Sequence, residues 1–253
     1  MPPLKGKVAL ITGAGQGIGQ GVALALASEG VDLLLAGRTL DKVQETARLV
    51  EERGGNAIAV ACNVKAADDL AGAVNTAVRD LGGVDILVNN AQEVPLGTFE
   101  QVTDEAFLAG FESGPLAVHR LTKMVAPVMQ ERGGGVIFNL VTSAGVRWDM
   151  GGYGAYGAVK QAMRALTRGS ASELGPKGIR VLSIAPHAMS PGMEWWIDNN
   201  PEEAEAFFKT IPLGRVGDCV EDIGRAVAML AGDEARYLTG ATIPLDGGQA
   251  NFD

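Results

Sequence analysis

Short apolar runs of strand length alternate along this chain with longer stretches in which apolar residues recur at helical spacing. The first run, Val8 to Thr12, leads into a helical segment from about Gly17 to Ser28. Further strands are predicted at Val31–Ala36, Ala57–Ala61, Val84–Val88, Val136–Val141, Arg180–Ile184 and Ala241–Leu245. Between them, helices are predicted at Leu40–Arg53, Ala66–Leu81, Thr103 to about Gln130, Tyr153–Leu174 and Val220–Leu230. Strands written as unbroken Val/Ile/Leu/Ala runs are buried on both faces, so helices must cover both sides of a parallel sheet. The pattern predicts an α/β fold, a doubly wound parallel sheet of about seven strands, in a single domain over residues 1–253. One stretch breaks the rhythm: Ser190 to Pro212 is an excursion too long for an ordinary connection, and carries the pairs Trp195-Trp196 and Phe207-Phe208.

Composition removes several alternatives. Hydrophobic residues make up 47% and charged residues 20%, so apolar surface suffices for a core and disorder is not expected. With 21 Lys and Arg against 30 Asp and Glu, the net charge of −9 repels phosphate backbones and anionic lipid, which argues against nucleic acid or a membrane as partner. Cys62 and Cys219 are too few for a disulfide framework and lack metal-ligand spacing, so both read as small buried residues and no metal is expected. The absence of a signal-peptide core and of a membrane-length apolar run makes a cytoplasmic location the expectation.

Chemistry enters directly after the first strand, at Gly13-Ala14-Gly15-Gln16-Gly17-Ile18-Gly19. Glycines allow close backbone approach, and the helix that follows offers free N–H groups and a partial positive charge to a pyrophosphate. The spacing of Gly13, Gly17 and Gly19 resembles the first turn of the short-chain dehydrogenase/reductase family. The likeness recurs at Asn89-Asn90-Ala91, at Tyr156-x-x-x-Lys160, and from Pro212-Leu213-Gly214-Arg215 through Leu238-Thr239-Gly240 to Asp246-Gly247-Gly248. It implies a Rossmann-like fold and a nicotinamide cofactor held by Gly13, Gln16, Gly17, Ile18 and Gly19.

Which cofactor is read from the end of the second strand, where NAD-binding chains place an acid. Gly37 and Arg38 stand there, and a guanidinium pairs with a 2′-phosphate that a carboxylate would repel, so NADP(H) is expected ahead of NAD(H). The resemblance further implies adenine contacts from Asn63 and Val64, and a ribose wall from Asn90 and Ala91. Gln92 follows where the family has glycine.

Four residues apart on one helix, Tyr156 and Lys160 share a face. An adjacent ammonium is expected to lower the phenol pKa, letting Tyr156 exchange a proton with an alkoxide or alcohol. By resemblance, Lys160 also binds the nicotinamide ribose, and a hydroxyl from Asn139-Leu140-Val141-Thr142-Ser143-Ala144-Gly145 holds the substrate oxygen. Strand register points to Thr142, whereas counting back from Tyr156 gives Ser143. The family's helix asparagine corresponds to Gly114. Pro186 and His187 read as structural or cofactor-contacting residues, and Met189 aligns with a residue whose backbone binds the carboxamide; Pro191 replaces the family's threonine, with Ser190 as a substitute.

The aromatic pairs of the 190–212 segment lie where the family has a substrate lid, which implies a medium-sized, largely apolar carbonyl or alcohol substrate, although packing against another subunit accounts for them equally. Ala158, Ala162 and Ala165 form a small-residue face suited to a homotetramer or homodimer. Three activities stay open: NADPH-dependent ketone reduction or the reverse oxidation, 3-oxoacyl-carrier reduction, and NADP binding with little turnover.

Overall fold

A computed structural model of the chain describes residues 4–147, 151–250 and 252. Seven parallel strands form one sheet: β1 (Val8–Thr12), β2 (Asp32–Gly37), β3 (Ala57–Ala61), β4 (Ile86–Asn89), β5 (Gly135–Leu140), β6 (Ile179–Pro186) and β7 (Thr242–Leu245). Their order is β3-β2-β1-β4-β5-β6-β7, the doubly wound, Rossmann-like arrangement expected from the alternation. Strand bounds differ from the pattern's by one or two residues, because strand ends are set by pairing partners that a single segment does not reveal.

The sheet is covered by α1 (Gly17–Ser28), α2 (Leu40–Glu51), α3 (Ala67–Leu81), α4 (Asp104–Phe111), α5 (Ala117–Glu131), α6 (Gly154–Leu174), α7 (Pro191–Asn199), α8 (Pro201–Phe208) and α9 (Arg225–Ala231). One core cluster joins Val22 and Leu26 of α1, Val43 of α2 and Val227 of α9 to one sheet face, with Ile11 and Phe138 at its centre. The other packs Leu70 of α3 and Leu121 and Val125 of α5 against Leu10, Leu87 and Ile137. The central strands therefore send alternate residues into two separate cores, which is why their sequences are apolar at most positions.

Three expectations need correction. The helix predicted at Val220–Leu230 opens as a π turn at Cys219–Gly224, so that α9 begins only at Arg225. The predicted helix from Thr103 to Gln130 is divided into α4 and α5 by a wider π turn at Glu112–Leu116. Pro115 lies inside it and has no N–H to continue the ladder, so the helix absorbs it by loosening one turn. The 190–212 excursion is largely helical. Ser190 caps α7, its Oγ accepting from Met193 N at 3.3 Å, and Pro191 and Pro201 occupy first-turn positions where a missing donor does no harm.

Winding proceeds outward in opposite directions from β1 and β4, so the loops after these neighbours part company and leave a crevice at the strands' carboxyl ends. Among the described residues, no helix is long and apolar enough to cross a membrane.

Candidate active site

The crevice is a cavity of about 540 Å³ bordered by the turn after β1, the ends of β2 to β6 and the start of α7. At its inner wall the chain folds back tightly through Gly13, at φ +67°. A Cβ on Gly13 would lie 2.7 Å from Asn90 Nδ2, and one on Gly19 would run into the Gly13 carbonyl oxygen. The turn is locked from outside: Asn90 Nδ2 donates to the carbonyls of Thr12 and Gly13, each at 3.0 Å, and Thr12 Oγ1 accepts from the N–H groups of Asn90 and Ala91. Asn90 thus braces the glycine turn, a role the resemblance did not imply. The residue before α1, Gln16, makes no side-chain cap to the helix's first N–H groups, and Gly17 and Ile18 border the cavity. A glycine turn with no room for side chains, opening a helix with an uncapped start, fits a pyrophosphate.

Arg38, Asn63, Val64 and Ala91 border the outer end of the cavity. Asn63 Oδ1 accepts from Lys65 N at 3.2 Å, leaving its amide nitrogen for other contacts. Arg38 pairs with Glu93, Nη1 to Oε1 at 2.7 Å, a partner that no sequence motif indicated.

At the inner end stand Thr142, Tyr156, Lys160 and Pro186. Helix α6 is tied to the sheet by a buried chain of hydrogen bonds: Asn89 Nδ2 donates to Asn139 Oδ1 at 2.8 Å, Asn139 Nδ2 to Thr167 Oγ1 at 2.9 Å, and Ser183 Oγ to Thr167 Oγ1 at 2.8 Å. Thr167 is two turns beyond Lys160 along the same helix, so this chain sets the depth at which Tyr156 and Lys160 sit. Sequence reasoning missed Thr167 and Ser183; the one signal available was a serine inside the apolar run Val181-Leu182-Ser183-Ile184.

Lys160 is buried, and its Nζ donates to the Leu140 carbonyl at 2.6 Å while lying 5.6 Å from the Tyr156 ring centroid. Burial lowers its pKa from 10.5 to about 7. Burial also pushes the Tyr156 phenol up to about 12, opposed by hydrogen bonding from Thr142. The expectation that the ammonium would lower the phenol pKa is corrected, because loss of water penalises the charged form of both groups. What the pair presents at neutral pH is a protonated phenol, a group able to donate a proton.

Thr142 and Ser143 are separated by their partners. Thr142 Oγ1 accepts from Ala144 N at 3.2 Å and stands against Tyr156. Ser143 is turned the other way, buried and donating to Asp246 Oδ2 at 2.7 Å, and does not border the cavity. The Ser143 alternative is corrected: the backbone extends through Thr142 and then curls into a helical turn, which swings the next side chain toward β7. Thr142→Val is expected to reduce kcat of the reaction at this site by about tenfold or more through loss of one oxygen-directed donor. Ser143→Ala should leave kcat near wild type and lower stability by about 1–2 kcal/mol, read by thermal melting.

Gly114 and Gln92, both departures from the family pattern, explain each other. A Cβ at Gly114 would lie 2.5 Å from Gln92 Oε1 and 3.0 Å from Val159 Cγ1. Gln92 Nε2 donates to the carbonyls of Glu93 and Gly110 and to Ser113 Oγ, at 2.8 to 3.2 Å. The amide that occupies the space beside the π turn therefore comes from the β4 loop. Its Oε1 is buried without a partner among the described residues.

His187 and Met189 do not border the cavity. The Met189 N–H donates to the Gly217 carbonyl at 2.8 Å and its carbonyl accepts the Cys219 thiol at 3.2 Å, so the free backbone implied for it is corrected: β6 continues into a bridge with Gly217 that takes up those groups. His187 packs edge-on against Phe207, centroids 5.1 Å apart, and burial lowers its imidazole pKa. Phe207 also meets Trp196 edge-on at 5.5 Å, gathering the aromatic residues of α7 and α8 beside the site. Cys62 is buried, but Cys219 is only half-buried, at the exposed start of a π turn, and both thiols are free. Among the described residues, no group of His, Cys, Asp or Glu could hold a metal ion.

A family model described as enoyl-(acyl carrier protein) reductase matches residues 13–250. The chain belongs to the short-chain dehydrogenase/reductase family. It is 33% identical over 247 residues to dehydrogenase/reductase SDR family member 4 of Homo sapiens, covering 97% of this chain and 88% of that one. It is 34% identical to a 12α-hydroxysteroid dehydrogenase of a Clostridium species, covering 96% of each. The structure of a 7α-hydroxysteroid dehydrogenase complexed with NADH and 7-oxo glycochenodeoxycholic acid superposes with a TM-score of 0.93 at 31% identity, covering 98% and 96%. As a member of this family the chain is an oxidoreductase of the kind that acts on alcohols and ketones with NAD(P)(H).

Proposed function

We propose that this enzyme is an NADPH-dependent ketone reductase in which Tyr156 delivers the proton to the nascent alkoxide. The observation that carries the reading is the Tyr156 phenol, its pKa raised to about 12, facing the Thr142 hydroxyl in a cavity continuous with the glycine turn. A bound nicotinamide would supply the hydride. Thr142 orients the carbonyl oxygen, Tyr156 protonates it, and Lys160, anchored on Leu140, provides donors for the cofactor ribose. Reduction draws on the protonated phenol, and the reverse oxidation starts from the phenolate. Gly13, Gln16, Gly17 and Ile18 hold the pyrophosphate, Gly19 lets α1 start close against the turn, and Asn63 and Val64 flank the adenine.

In this reading the chain works as one domain whose 190–212 segment covers the substrate. Trp196 and Phe207 favour a medium-sized apolar ketone, and the steroid dehydrogenases among the relatives support an alicyclic one. An apolar groove between α5 and α6, bordered by Val118, Ala162, Ala165 and Leu166, supports a homotetramer or homodimer. The free thiols fit a reducing cytoplasm.

The reading is tested by following NADPH oxidation with a panel of alicyclic and aryl ketones. Arg38→Ala should raise KM for NADPH by about tenfold, the loss of one charge-assisted phosphate contact, and leave KM for NADH within about twofold. NADH oxidation favoured over NADPH by the unaltered enzyme would refute the cofactor assignment, and tight NADPH binding without turnover of any ketone would refute the activity.

A further inference from the structure

The outer end of the cavity carries an ion-pair bracket that the family pattern does not account for. Arg38 follows β2, Lys65 follows β3, and Glu93 comes from the loop after β4, on the far side of β1 from the other two. The Glu93 carboxylate meets both cations: Arg38 Nη1 at 2.7 Å from Oε1, and Lys65 Nζ at 3.1 Å from Oε1 and 3.3 Å from Oε2. Its backbone is held on both sides, the N–H donating to Ser113 Oγ at 3.0 Å and the carbonyl accepting Gln92 Nε2 at 2.8 Å. The carboxylate is therefore aimed at the cations by a clamped main chain, with Glu93 and Lys65 each less than a third exposed. Both Arg38 and Glu93 border the cavity.

We propose that Glu93 is a cofactor-selectivity residue, an internal anion that holds the cationic pocket which a 2′-phosphate must take over. The inference rests on the reading of Arg38 as the phosphate partner. A phosphate monoester offers more charge and more acceptor oxygens than a carboxylate, so it can displace Glu93 from Arg38, but the displaced carboxylate stays nearby and repels it. A dinucleotide without the 2′-phosphate leaves the bracket intact and meets no such repulsion. Glu93 thereby weakens NADPH binding selectively and narrows the preference that Arg38 creates.

The test is the dissociation constant of NADPH and of NADH, measured by calorimetric titration of the unaltered protein, Glu93→Gln, Glu93→Ala, Arg38→Ala and Arg38→Ala/Glu93→Ala. Thermal melts verify that each variant is folded. Both Glu93 variants should bind NADPH about two- to fivefold more tightly, the range that partly exposed charge pairs reach, with NADH affinity changed less than Glu93→Ala changes that of NADPH. The gain should shrink at about 0.5 M salt and persist in part in the Arg38→Ala background, where competition for the guanidinium is gone but the repulsion between the carboxylate and the 2′-phosphate remains. Unchanged or weakened NADPH binding in both Glu93 variants, while Arg38→Ala alone weakens it, overturns the role of Glu93 and leaves Arg38 standing. If Arg38→Ala has no effect on NADPH, the reading of Arg38 itself fails, and the selectivity role built on it fails with it.

Discussion

Tyr156→Phe is expected to lower kcat for ketone reduction by about 10²–10⁴-fold, the usual contribution of a positioned proton donor, with NADPH affinity unchanged within about twofold. Phenylalanine preserves the ring and its packing against Tyr153, whose centroid lies 6.4 Å away, so only the hydroxyl is removed. In the unaltered enzyme the phenol is protonated until well above neutrality, its pKa raised to about 12. Reduction should therefore lack a Tyr156 limb between about pH 6 and 9, whereas oxidation of the product alcohol should climb with pH. Steady-state kinetics in both directions, with a separate NADPH titration, check this. Retention of more than about a tenth of wild-type kcat would assign proton delivery elsewhere.

Lys160→Met should abolish turnover and yet raise stability. Burying this amine lowers its pKa from 10.5 to about 7. Between those values the unfolded chain binds a proton that the folded chain has released, so folding stability rises with pH across the window. Below about pH 7 both states are protonated and the folded protein carries the buried cation at a cost of about 5 kcal/mol relative to alkaline pH. Methionine has a similar shape and no charge to desolvate, but it leaves the Leu140 carbonyl without its donor, which returns about 1–3 kcal/mol. The net expectation is a Tm higher by several degrees at pH 6, the gap closing as pH approaches 10. Calorimetric melts at those two pH values decide it; an equal gap at both would mean that Lys160 titrates normally in the fold. Such a trade of stability for chemistry is expected where a site needs a charge in a dry place.

The fold was readable because two-core strands are apolar at most positions on both faces, as in Val8–Ile11 or Val136–Phe138. The π turn was not, since Pro115 sits in a segment of good helical period and its accommodation depends on a widened turn packed against α6. The helices of 190–212 were also missed: aromatic pairs and prolines read locally as an irregular loop, and the periodicity over nine and eight residues is too short to stand out. For the candidate site, the glycine turn and the tyrosine–lysine spacing are local patterns and could be picked out directly. Gly114 and Gln92 looked like two separate defects until their contact showed one side chain filling the other's place. Glu93 carried no signal, because a glutamate in a loop is ordinary until two cations from other loops are found around it.

The order of residues along the chain determined a parallel, doubly wound sheet, a glycine turn at its first crossover, and a phenol and amine on one helical face. These are properties of neighbours within about ten residues, governed by backbone geometry and periodicity. Only the tertiary structure decided that Thr142 and not Ser143 faces the phenol, that Arg38 has a carboxylate across the cleft, and that burial raises the phenol pKa and lowers that of the amine. Each of those depends on which distant groups approach and how much water they exclude, and electrostatics in a cleft is set by that surrounding, not by the residues' own identity.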